Sequence, residues 1–111
     1  MKPSTFPPLV AALALAAPLA VRAGSAALPT TATVPISHFQ FQMPNVSIPA
    51  GGSVTWKNLD GEPHTVTATD GAFRSGALDQ GESFTFRFAK PGVYSYLCSI
   101  HPQMRATVTV R

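Results

Sequence analysis

An all-β sandwich or barrel is the fold that the sequence predicts, and three observations carry the prediction. Short segments of alternating apolar and polar residues recur between turn signals, residues 34–111 contain no convincing helical period, and only 12% of the 111 residues are charged. That charged fraction is about half the usual quarter, so the outer faces must carry Thr, Ser and Gln in place of ion pairs. The length allows a single small domain.

Taken in order, residues 27–33 are rich in Ala, Thr and Pro without a hydrophobic period, and read as an extended or mobile linker. Val34, Ile36, Phe39, Phe41 and Met43 then alternate, but the phase slips by one residue near His38. A slip of one reverses the buried face, which predicts a bulge or kink at Ser37-His38. Pro44-Asn45 breaks the strand, residues 46–48 form a brief extended piece, and Pro49-Ala50-Gly51-Gly52 is a turn. Residues 53–58 read as a strand with Val54 and Trp56 on one face.

After the loop Asp60-Gly61-Glu62-Pro63, His64, Val66 and Ala68 alternate with Thr65, Thr67 and Thr69. His64 therefore shares the face of two apolar residues, where an imidazole without a partner would be costly. Asp70-Gly71 turns the chain, and residues 72–80 are irregular. Phe84, Phe86 and Phe88 line one face of a strand over 82–89, and Lys90-Pro91-Gly92 is a strong turn. Residues 93–97 place Tyr94 and Tyr96 in phase with Cys98, and Ala106, Val108 and Val110 alternate with Thr107, Thr109 and Arg111 to the end. The result is about seven short strands with no internal repeat.

Residues 1–26 stand apart from that domain. Lys2 precedes an apolar run over 9–21, and small residues in Val21-Arg22-Ala23 and Gly24-Ser25-Ala26 suit a signal peptidase. The segment reads as a leader cleaved near 23–26, too short to serve as a membrane anchor. With no twin arginine and no cysteine just after it, ordinary export without a lipid anchor follows. The chain then divides into a leader (1–26), a linker (27–33) and one domain (34–111). Loss of Lys2 and Arg22 lowers the formal charge from +3 to +1, and no basic cluster remains to bind nucleic acid. Small exported domains often rely on disulfides, but a single cysteine cannot form one internally. Cys98 is therefore buried in the core, paired with another chain, or tied to a metal.

The stretch around Cys98 favours the metal. Cys98-x-x-His101-x-x-Met104 follows an aromatic strand, and Pro63-His64-Thr65-Val66 lies upstream. Two imidazoles and a thiolate in a trigonal set, with a weaker thioether on the axis, form the donor set of a blue-copper electron-transfer site. Each residue alone is more often a packed core residue. Their joint spacing, in an exported domain with no other cysteine, favours copper.

Gly52-Ser-Val-Thr-Trp56-Lys-Asn58, Glu62-Pro-His64-Thr-Val66, Gly92-Val-Tyr-Ser-Tyr96-Leu-Cys98-Ser-Ile-His101-Pro-Gln-Met104 and the closing Val108-Thr-Val110 resemble a cupredoxin across nearly the whole domain. The short ligand loop is most similar to the amicyanin branch of the plastocyanin-like proteins. The resemblance implies a Greek-key β-sandwich of seven to eight strands holding one type 1 copper. It assigns His64, Cys98 and His101 as strong ligands and Met104 as the weak axial one, with His101 near a surface patch that includes Pro102. Two positions depart from the family pattern. Thr65 stands where relatives commonly carry an Asn that ties the ligand loops together. Ala106 stands where Gly is frequent, which matters if the backbone there needs a positive φ. Elsewhere, His38 matches no ligand position, Met43 is expected to pack a sheet edge, Asn45-Val46-Ser47 fits a glycosylation sequon, and Asp60 and Glu62 read as a solvated turn.

The leading function is a soluble periplasmic carrier, expected to be monomeric, that passes one electron between transient redox partners. Copper storage or delivery is the alternative, and a metal-free sandwich module is a third. Catalysis as in multicopper enzymes would need further copper sites, which three histidines, two already used, cannot supply. Zinc would gain little from the thioether.

Overall fold

The structure is a computed structural model that describes residues 3–5 and 30–111. The leader predicted over 1–26 falls almost entirely outside the described residues. Eight strands follow in order: β1 (Thr31–Ser37), β2 (Gln40–Phe41), β3 (Asn45–Ile48), β4 (Ser53–Asn58), β5 (Thr67–Ala68), β6 (Ser83–Arg87), β7 (Gly92–Leu97) and β8 (Arg105–Val110). They form two four-stranded sheets, β2-β1-β4-β6 and β3-β8-β7-β5. The described residues contain no helix, and the fold is the all-β sandwich expected.

Alternation decides which side chains meet between the sheets. Val54 and Trp56 of β4 and Val108 of β8 are fully buried, with Val34, Ile36 and Ile48 beside them. Trp56 lies at the centre of an aromatic column: it stacks on Phe73 and Phe84 at centroid distances of 5.6 and 5.9 Å and meets Tyr96 edge-on at 5.4 Å. Phe41 closes on Tyr96 from the other side at 4.7 Å. This column spans both sheets, and Tyr96 lies two residues before Cys98 on the same inward face.

Both sheets are mixed. β1 runs parallel to β4 with Thr31 opposite Ser53, and β3 runs parallel to β8 with Asn45 opposite Thr107. The other pairings are antiparallel. β1 begins at Thr31, inside the segment read as a linker, because its first residues bond along the edge of β4 and need no apolar alternation.

The phase slip near His38 has a different cause from the bulge expected. Ser37 pairs with Gln40 and Ile36 with Phe41, so His38 and Phe39 form a two-residue hairpin loop. Two residues outside the ladder shift the apparent phase. Both loop residues have φ of +54°. Positive φ at both positions is the geometry that normally selects Asn-Gly or Gly-Gly, and for residues with a Cβ it costs ~1–2 kcal/mol each.

Residues 72–80 are irregular, as read, but anchored. Phe73 and Leu78 are buried, and isolated bridges join Leu78 to His64 and Arg74 to Thr67. This segment holds the chain that carries His64 against the sandwich.

Candidate metal centre

His64 precedes β5, and its backbone exchanges two hydrogen bonds with Leu78: His64 N–H donates to Leu78 O at 3.1 Å and Leu78 N–H to His64 O at 2.7 Å. Cys98 follows the last residue of β7, and His101 and Met104 lie on the loop from there to β8. That loop closes on itself. Cys98 N–H donates to Met104 O at 3.1 Å, and Met104 N–H donates to His101 O at 2.9 Å. Hydrogen bonds at this spacing fold Cys98, His101 and Met104 back on one another.

Three donor atoms converge. His64 Nδ1 lies 3.2 Å from His101 Nδ1, and Cys98 Sγ lies 3.9 Å from the first and 3.7 Å from the second. Donors bonded to one ion at about 2.0–2.3 Å and near-tetrahedral angles lie roughly 3.3–3.6 Å apart, so the set fits a single small metal ion. His64 and Cys98 are wholly buried, Met104 is 3% exposed, and only His101 reaches the surface. A soft thiolate beside two imidazoles suits copper in both of its common oxidation states.

The surrounding groups orient these donors. His64 Nε2–H donates to Asp60 Oδ2 at 2.8 Å. A carboxylate only accepts, so the proton sits on Nε2 and the Nδ1 lone pair faces the other donors. Thr65 N–H points at Cys98 Sγ at 3.3 Å, the bond that a thiolate accepts best. The Thr65 hydroxyl answers the question raised by the missing Asn: it accepts Ser99 N–H at 2.7 Å and lies 2.9 Å from Ser99 Oγ and 3.0 Å from Thr67 Oγ1. A short hydroxyl thus ties the two donor-bearing loops together. Ala106 raises no strain, because it sits in the regular ladder opposite Tyr96 and has no positive φ.

Sequence reasoning missed three participants. Asp60 is not in a solvated turn: its side chain is only 16% exposed and accepts three hydrogen bonds. Burial alone would raise its pKa, but the Phe39 and His38 backbone N–H groups and His64 outweigh that and hold it below its ordinary value. Asn58, fully buried, shapes the loop that carries Asp60: its Oδ1 accepts Asp60 N–H at 2.9 Å, and its Nδ2 donates to Glu62 O and Leu78 O, both at 2.8 Å. An Asn ending a strand with Asp two residues on signals such an Asx turn. Phe39 stands edge-on to both imidazoles, with centroids 5.1 Å from His64 and 5.0 Å from His101. No sequence signal marked it, since its place depends on the hairpin. His38 and Met43 lie on the surface, Met43 too exposed to count as packed.

A β-sandwich that gathers two imidazoles and a buried thiolate at one end has the form of a mononuclear copper domain. The comparisons with known proteins agree. A family described as copper binding proteins, plastocyanin/azurin family, matches residues 29–111. Amicyanin-alpha of Methylorubrum extorquens is 35% identical over 116 residues, covering 89% of this chain and 98% of that protein. Among solved structures, a variant of amicyanin in its Cu(I) form superposes with a TM-score of 0.70 at 25% identity, over 74% of this chain and 83% of that one. A purple cupredoxin from Nitrosopumilus maritimus superposes at 0.66 with 33% identity, over 72% and 99%. The chain belongs to the plastocyanin/azurin family of copper-binding proteins, and it is a blue-copper electron-transfer protein whose cofactor is copper.

Proposed function

We propose that the protein is a soluble periplasmic carrier that moves one electron at a time between larger redox proteins, with the sandwich of β1 to β8, which begins at Thr31, as its copper domain and residues 1–26 removed on export. In this reading His64 Nδ1, His101 Nδ1 and Cys98 Sγ would hold the copper, with the Met104 thioether as a weaker fourth donor. Bound copper contributes the Cu(I)/Cu(II) couple. The protein acts as a carrier and performs no catalysis of its own.

The observation that carries this reading is the convergence of the two Nδ1 atoms and the thiol sulfur within 3.9 Å of one another at the end of a rigid sandwich. Rigidity matters because an electron carrier must change oxidation state with little movement of its ligands. The closed loop, the Thr65–Ser99 bonds and the Leu78 bridge all resist such movement. Full burial of His64 and Cys98 weighs against delivery of the ion, which needs an open route for exchange. Export is supported by the leader pattern. No helix among the described residues is long and apolar enough to cross a membrane.

Copper(II) added to the purified domain tests this directly. The expected outcome is strong thiolate-to-copper charge-transfer absorption and a reversible one-electron wave in voltammetry. Cys98→Ser should abolish the colour and leave a folded sandwich. A blue Ser variant would remove Cys98 from the ligand set. A colourless, readily lost copper complex in the unmodified protein would favour delivery.

A further inference from the structure

The His38-Phe39 hairpin combines a costly backbone with a specific payload. Two non-glycine residues hold φ of +54° side by side, and the second is a phenylalanine, for which that region is an outlier. Strained backbone of this kind persists where the surroundings over-determine it, and it clusters at functional sites. Here one side chain bonds the backbone of both strained residues. Asp60 Oδ1 accepts His38 N–H at 2.9 Å, and Oδ2 accepts both Phe39 N–H at 3.0 Å and His64 Nε2–H at 2.8 Å.

One carboxylate therefore holds a surface turn and a buried imidazole at the same time. The turn carries the Phe39 ring across the gap between the two histidines, edge-on to each at interplanar angles of 86° and 87°. Glycine would relieve the turn but offers no ring. Asn-Gly would build the hairpin more cheaply and leave the outer edges of both imidazoles open to water.

We propose that Asp60 is a positioning residue that clamps the His38-Phe39 turn to His64, so that Phe39 caps both imidazoles, slows copper exchange and, with the Asp60 charge, biases the site toward Cu(II). This rests on the copper reading above. The carboxylate makes its bonded imidazole a better donor and adds negative charge near the ion, which favours the more highly charged oxidation state. The ring restrains His101, the one donor that reaches the surface, and excludes water from its edge.

Two variants separate this role from a purely structural one. Phe39→Gly relieves the positive φ, so the metal-free protein should be at least as stable as the unmodified one to denaturant. Its copper should nevertheless pass to a chelator about tenfold faster, as expected for loss of a group that supports the ligands. Asp60→Asn keeps the size of the side chain and removes its charge. It should raise the ratio of Cu(I) to Cu(II) affinity about tenfold, which for one electron is a rise of about 59 mV in midpoint potential, and Asp60→Glu should restore part of it. A merely structural clamp would lower stability in Asp60→Asn and leave the potential where it was. Unchanged potential in Asp60→Asn, or unchanged copper release in Phe39→Gly, overturns the proposal. The unmodified protein is the control for the copper reading: if it takes up no copper or forms no coloured complex, that reading fails first, independently of either variant.

Discussion

Two residues beside the copper site lend themselves to direct test. Thr65 joins the donor-bearing loops through Ser99 N–H and two neighbouring hydroxyls. Thr65→Val keeps the shape and leaves the Ser99 N–H without its acceptor, at a cost of about 1–3 kcal/mol in chemical denaturation. Its backbone N–H to Cys98 Sγ survives, so colour should persist while the fold weakens. Tyr96 is the other case. Burial raises its phenol from 10.0 to about 12, and neither its hydroxyl nor the neighbouring Trp56 indole N–H has a hydrogen-bond partner. The folded state therefore keeps its proton after the unfolded chain has lost it. Stability from this group is complete below pH 10 and falls as pH rises toward 12, by roughly 3 kcal/mol over two units. Denaturation of Tyr96→Phe should show a flatter alkaline profile than the unmodified protein, and at neutral pH the change should cost little, because the hydroxyl lacks a partner. Sequence spacing pointed to His64, Cys98 and His101, whose donor atoms the fold brings together, since each depends on local phase or on one short loop; Met104, read from the same loop, remains a proposed donor. Asp60 and Phe39 were not readable in that way. Asp60 is bound to residues 21 and 22 positions upstream, and only the folded hairpin brings them to it.

At the level of elements, alternation located most strands but not their neighbours. β4 and β8 lie where the pattern placed them, with Val54, Trp56, Ala106, Val108 and Val110 inside. Period two says which face is buried and nothing about which strand pairs with which, so the parallel β1–β4 and β3–β8 contacts had no signature. The same limit hid the start of β1, whose Thr31 and Thr33 face outward. The β1–β4 junction also sets a strict steric condition. Gly52 N–H donates to Pro49 O, and a Cβ at Gly52 would fall 2.8 Å from Thr30 O and 2.9 Å from Pro49 O, both backbone atoms that cannot swing aside. Gly52→Ala should thus destabilise by about 1–3 kcal/mol, as overpacking does. A thermal melt checks it: an unchanged midpoint would mean that the turn yields more easily than its hydrogen bonds imply.

For the whole molecule, the distribution of exposed apolar side chains bears on how an electron leaves. Phe39, Leu59 and Ile100 are 43%, 47% and 48% exposed, and all three lie on loops at the metal end: the hairpin, the Asp60 loop and the ligand loop. Val93, 69% exposed, sits apart near the start of β7, opposite Thr109. Exposed apolar residues grouped around the one donor that reaches the surface suit brief encounters, in which a small dry contact brings two redox centres close and then releases. Ile100 adjoins His101 and makes no side-chain hydrogen bond within the site. Ile100→Lys should therefore leave the visible spectrum and midpoint potential as they are, while placing a charge where two molecules must meet. Electron self-exchange between the oxidised and reduced protein needs no outside partner and can be followed by NMR line broadening. The rate should fall by about tenfold or more, because like charges then face each other across the contact, and added salt should recover part of it by screening. Val93→Lys carries the same charge at a distant strand and should leave the rate near that of the unmodified protein. Equal slowing by both variants would mean that net charge governs the encounter, and no slowing by Ile100→Lys would place the exit for the electron elsewhere on the surface.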